Sequence, residues 1–176
     1  SIADDGWYVW NTAYSTSNDK YQRLEQAGTL GTGSTFWNNT APTTSTISIG
    51  TSTGVNQNGQ TYICYAFADV QGFSSVGSYN GNSSTNGSFI YTGFKPAFVF
   101  TKATATGEGW QIYDNKRLGY NATEKVLYPN ATQTESTLAG GVDFLSNGFK
   151  WRTADGGVNS NQLYVYMAFA EAPLVG

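Results

Sequence analysis

An all-β protein is expected here, built as antiparallel sandwiches with little helix. Runs of β-branched and aromatic residues recur at strand length, turn-forming Asn-Gly pairs lie between or beside them, and no helical period persists beyond a turn or two. The Gly, Ser, Thr and Asn background would also suit a disordered chain. The 5 Trp, 12 Tyr and 10 Phe decide against that, because disordered chains lack core formers.

Taken in chain order, the expected strands are "WYVW" (7–10), "STISIG" (45–50), "TYICYAFA" (61–68), "SFIYTGF" (88–94), "AFVFTK" (97–102), "WQIY" (110–113), "GFKWR" (148–152) and "LYVYMAFA" (163–170). One short helical turn is expected near "NDKYQRLEQA" (18–27). Asn58-Gly59, Asn80-Gly81, Asn86-Gly87 and Asn147-Gly148 mark turns, because this pair tolerates the positive φ that tight turns require.

The chain repeats itself. "GWYVWNTA" at Gly6 and "GWQIYDNK" at Gly109 are 103 residues apart, and "QTYICYAFADV" and "QLYVYMAFAEA" begin 102 apart, at Gln60 and Gln162. Two related sandwich modules follow from this spacing. The first spans 1–71 and the second, more complete, spans 72–176. Trp7 is expected to match Trp110, and Phe67 to match Phe169, with all four rings buried. Each echoed segment reads as a central strand covered on both faces, since both alternating sets are largely apolar. Cys64 lies in that run and reads as a small packed hydrophobe. The lone cysteine has no partner for an internal disulfide.

"SFIYTGF" and "AFVFTK" lead into Trp110, and nothing equivalent precedes Trp7. The first module is therefore expected to lack its N-terminal strands. Its apolar faces and edge amides would then be exposed, and would be completed by an upstream part of the polypeptide or by a neighbouring subunit. A third arrangement has the strands of 72–103 completing the first module instead.

Charge narrows the function classes. Nine Lys plus Arg against twelve Asp plus Glu give a net charge of −3, which argues against nucleic acid as the main partner. No apolar run is long enough for a membrane-spanning helix, so membrane insertion is not expected. The sequence contains no histidine, which removes Ser-His-Asp and Cys-His catalysis and most zinc sites. No cofactor or metal is expected, and calcium at Asp114 or Asp143 has no supporting ligand spacing.

"GSYNGNSSTNGSFIYTGFKPAFVFTK", "WQIYDNKRLGYN", "VDFLSNGFKWR" and "YVYMAFAEAP" carry a family resemblance. The chain resembles, over essentially its whole length, a tandem-repeat module of phage tail-fibre-like and virion structural proteins. The resemblance implies a jelly-roll or concanavalin-like sandwich and a place on the virion surface. It implies other virion subunits as partners, homo-oligomerisation and no catalytic set. The expected function is that of a fibre or capsid-decoration module contributing to host-surface adhesion.

Two alternatives attach to particular residues. A lectin-like, receptor-binding role would stack sugar on an exposed ring beside amide and carboxylate groups. Trp37, Asn38 and Asn39, and Tyr113, Asp114, Asn115 and Arg117, have that composition, set against a packing role for the rings and a polar turn for the rest. A polysaccharide-degrading tailspike-type enzyme needs two facing carboxylates, for which Asp114 and Asp143 are the candidates. It is the weaker reading, because Asp114 matches Asn11 in the first copy and the pair would be confined to the second.

Overall fold

In a computed structural model, the described residues are 6–14, 16–117 and 121–174. The chain's regular structure is nearly all β, arranged in three antiparallel sheets. Two of these make a sandwich from the second half of the chain. One is ordered β4-β11-β6-β7, from Ser74–Asn80, Leu163–Ala170, Pro96–Ala103 and Gln111–Asp114. The other is ordered β5-β10-β9-β8, from Phe89–Tyr91, Gly148–Trp151, Ser136–Leu145 and Thr123–Val126.

The two sheets face each other across an aromatic core. Tyr79, Val99, Tyr113, Tyr164, Tyr166 and Ala168 come from the first sheet, and Ile90, Val126, Val142, Phe144, Phe149 and Trp151 from the second. Trp151 meets Tyr113 edge-on at 5.2 Å, and Phe149 meets Tyr166 at 5.4 Å, geometries that suit the ring quadrupoles. Asn147-Gly148 closes the β9–β10 hairpin, with Gly148 opposite Leu145.

The first part of the chain forms a small meander, β1-β2-β3, from Tyr8–Val9, Lys20–Arg23 and Gly31–Thr32. Two single-turn helices follow, α1 at Ser34–Trp37 and α2 at Thr53–Asn56. The meander covers the outer face of the β11 sheet, where Tyr14 packs with Trp110 and Val165. Polar bonds secure the contact. Buried Gln22 donates to the Ala103 carbonyl at 2.8 Å and accepts from the Tyr14 hydroxyl at 2.8 Å. Trp110 Nε1 donates to the Arg23 carbonyl at 2.8 Å. Strand β11 is thus covered on both faces, as its two apolar sets require.

Several expectations need correction. "NDKYQRLEQA" holds strand β2 rather than a helical turn, because Gln22 and Tyr21 find ladder and core partners there. "STISIG" and "TYICYAFA" join no sheet among the described residues. Residues 6–71 therefore do not close a second sandwich, and the β4–β6 region does not complete one for them: β4 and β6 both pair with β11. Trp7 is 50% exposed where Trp110 is 3%, so the two tryptophans occupy unlike surroundings. Phe67 lies against Phe169, at 6.0 Å, instead of in a matching core of its own.

The halves nevertheless share local structure. Asn56 Nδ2 donates to the Gly50 carbonyl at 2.8 Å, and Asn159 Nδ2 to the Thr153 carbonyl at 2.7 Å. The backbone N–H of each Asn bonds the carbonyl four residues back, Ser52 or Asp155, at 2.8 Å. Tyr62 donates its hydroxyl to the Thr53 carbonyl and accepts from the Gln57 N–H, at 2.6 and 3.0 Å. Tyr164 does the same with Gly156 and Ser160, at 2.6 and 2.9 Å. Gly54 and Gly157 both sit where a Cβ would strike a residue of the matching strand, Tyr8 in one half and Gln111 in the other. Every pair here is 103 residues apart, except the tyrosines at 102. One turn, locked by one tyrosine, is built twice.

Candidate functional site

The feature of this chain that most demands a partner is the segment after the first locked turn. Residues 61–69 join no sheet among the described residues, and all of them except Tyr62 are exposed. Ile63 and Tyr65 are each 68% exposed and Phe67 is 56% exposed. Trp7 stacks on Tyr65 at 6.0 Å and extends the apolar row. Ile47 and Ile49 are also exposed, though their segment is separate in sequence. Exposed rings and aliphatics at this density mark an interaction surface or an aggregation liability.

The segment is anchored where it meets the sandwich. Val70 pairs with Ser74, and the Ser74 hydroxyl donates to the Ala68 carbonyl at 2.7 Å. Asp69 accepts from the Val76 N–H at 2.6 Å. Beside this anchor an open cleft of about 450 Å³ is lined by Asp69, Gln71, Ser75, Tyr91, Thr92 and Tyr166, among others. Burial pushes the Tyr166 phenol above its ordinary pKa; its hydrogen bond with Ser75 opposes the shift and Asp69 adds to it.

The residues singled out for sugar binding do not come together. Trp37 is buried, and its Nε1 donates to the Lys20 carbonyl at 3.0 Å, so the ring is committed to packing. Tyr113 is fully buried in the sandwich core. Neither ring is free to stack on a sugar. Asn38 and Asn39 are exposed with left-handed φ of 52° and 50°, which places them in a turn after α1. Asp114, Asn115 and Arg117 form a surface ion network instead of a cavity. Arg117 bridges Asp114 and Glu135, at 2.5 and 2.9 Å, and Asn115 donates to Glu171 at 2.6 Å. Asp114 is held by Arg117 and Asp143 by Arg152.

Cys64 is exposed, not packed, for the same reason as its neighbours: the strands that would cover it are not beside it. Sequence reasoning treated Ile63, Tyr65 and Phe67 as core because their alternation matches β11. Among the described residues, no group of three or more Cys, Asp or Glu side chains is arranged to hold a metal, and no helix is long and apolar enough to cross a membrane.

No curated protein and no solved structure matches the chain. A family profile does, over residues 2–173, and by that match the chain belongs to the family described as "Domain of unknown function (DUF7483)".

Proposed function

We propose that this chain is a structural module of a phage particle, part of a fibre or a capsid decoration, that works by assembling with other virion subunits. The observation that carries the reading is the apolar row Trp7, Ile63, Tyr65 and Phe67, a surface suited to protein cover. The twice-built turn supports it, because tandem arrays reiterate one unit and bury apolar faces between neighbours. The sequence resemblance to virion repeats adds the setting: the surface of an extracellular particle, in a homo-oligomer, with host-surface adhesion as a contribution.

A non-enzymatic role fits the placement of the acids. Asp114 and Asp143 are each held by an arginine, and Glu171 is paired with Lys95. Asp69 and Asp155 accept backbone N–H bonds that close turns. Carboxylates committed to arginine, lysine or turn N–H partners do not face one another across a cleft, as a glycosidase pair must. Lectin-like binding is the second reading. The cleft beside Asp69 favours it over the residues read from sequence, because Tyr91 there is 67% exposed.

The test is to purify particles from the natural source by density banding and to identify their polypeptides by mass spectrometry. The chain is expected in the particle band at a stoichiometry of many copies. Recovery only from the unassembled fraction would overturn the reading.

A further inference from the structure

We infer that residues 61–68 are an acceptor strand, completed by a β4–β6-type strand pair from a further repeat unit. The argument starts from what flanks the same strand in the second half. Strand β11 follows the same tyrosine-locked turn and lies between β4 and β6, paired with both along nearly its whole length. Its core-side residues Tyr164, Tyr166 and Ala168 correspond to Tyr62, Cys64 and Ala66. Its outer-side residues Val165, Met167 and Phe169 correspond to Ile63, Tyr65 and Phe67. The first-half segment has the same alternation and, among the described residues, no strand paired to either edge.

The surroundings of the two matched asparagines show what is missing. Asn159 is fully buried because the loop after β4 closes over it: its Nδ2 donates to the Ser84 carbonyl at 2.8 Å and to Asn82 Oδ1 at 3.1 Å, and its Oδ1 accepts from the Asn82 N–H at 3.1 Å. Asn56 keeps the bond within its own turn and is exposed. Val158 is fully buried and its match, Val55, is only partly covered. The differences between the two turns fall where the β4–β5 loop sits over one and no described residue takes its place over the other.

The occupant is not the β4–β6 pair of a second copy of this chain. In that copy the pair already holds β11, and donating it would bare a strand equal to the one it covers. A strand pair belonging to a further unit carries no such penalty. Its sequence type is that of residues 74–103: a Gly- and Ser-rich edge strand and an aromatic strand, joined through a polar Asn/Ser loop and the short strand β5. Backbone ladders would supply affinity, and the alternating pockets would supply register. This inference rests on the repeat and not on the virion reading, so the particle experiment and the one below fail independently.

Cys64 is the reporter, since its counterpart Tyr166 is covered by the sandwich. Residues 72–103 are duplicated directly ahead of Ser1, so that Ser1–Asp5 takes the linking position that residues 104–108 take before Gly109. A second fusion carries a scrambled segment of the same composition. Cys64 is then titrated with a disulfide reagent at a concentration where sedimentation shows monomers. The expected result is a fall in Cys64 reactivity of about tenfold or more in the first fusion only, because burial slows reaction by the rarity of opening. Equal reactivity in both fusions and the parent chain would overturn the inference. So would protection of Cys64 in the parent chain that grows with concentration alongside a dimer mass, which would make a second copy the occupant.

Discussion

Asn56 and Asn159, 103 residues apart, make one and the same bond, each amide donating to the carbonyl six residues earlier, at 2.8 Å to Gly50 and 2.7 Å to Thr153. Only Asn159 is buried, with three further bonds to the loop after β4. Removing it leaves the buried Thr153 carbonyl without this partner, at about 1–3 kcal/mol, and takes away three part-buried bonds to the loop. Asn159→Ala should therefore destabilise the fold by roughly 2–4 kcal/mol. Asn56→Ala should cost about 1 kcal/mol or less, because water replaces what it loses. Urea unfolding of the two variants checks the difference, and equal losses would mean that the two turns are equally enclosed.

A similar contrast holds for the tryptophans. Trp151 is fully buried where the two sheets meet, touching Tyr79, Tyr113 and Phe149. Trp151→Ala should cost about 3–5 kcal/mol through lost burial and the cavity left behind. Trp7 is half exposed, so Trp7→Ala should cost under about 1 kcal/mol in the isolated chain. A large loss at Trp7 would show that its ring is enclosed in solution.

The strands that are legible in the sequence are those with aromatic or β-branched alternation: β1, β5, β10 and β11 lie within runs read as strands, and β6 and β7 overlap theirs and run one residue past them, β6 at both ends and β7 at its C-terminal end. Strand β4, "SSVGSYN", was hidden because it is Ser- and Gly-rich; it is an edge strand whose backbone pairs with β11. Strand β2 was hidden because Lys20, Gln22 and Arg23 read as a polar helical surface, whereas Gln22 is buried by its two hydrogen bonds. "TYICYAFA" failed in the opposite sense. It has every local mark of a central strand, but pairing is decided by neighbours that composition does not reveal. The candidate sugar residues failed for a related reason: a ring flanked by polar residues reads as exposed, yet Trp37 and Tyr113 both point inward, one to the Lys20 carbonyl and one into the core.

Trp37 separates packing from recognition. If its role is to pack beneath α1, Trp37→Ala should lower stability by about 2–4 kcal/mol, short of a full core loss because the site lies outside the main core. Glycan-array signals, where the parent chain gives any, should persist in the folded fraction. Loss of binding with no change in unfolding midpoint would return Trp37 to a contact role.

The pH dependence is set by groups of opposite sign. Lys102 reaches under the meander and donates to the carbonyls of Glu108, Gly28 and Ala103, at 2.6, 2.7 and 3.2 Å. Burial pulls its ammonium down to about 8, with Glu108 opposing the shift. An unfolded chain would keep that proton up to about 10.4. Between those values the unfolded state binds the extra proton, so stability rises with pH. Tyr79, Tyr113 and Tyr14 act the other way, because burial raises all three phenols above their ordinary value. Above about pH 10 the unfolded chain ionises its tyrosines while the folded chain keeps them protonated, and stability falls. The midpoint of urea unfolding should therefore climb from pH 8 to a maximum near about pH 10 and drop beyond it. Lys102→Met should flatten the rising limb and leave the falling limb in place. A midpoint that declines steadily from pH 8 would mean that the three carbonyls hold the ammonium charged against its burial, and would assign the whole alkaline response to the tyrosines.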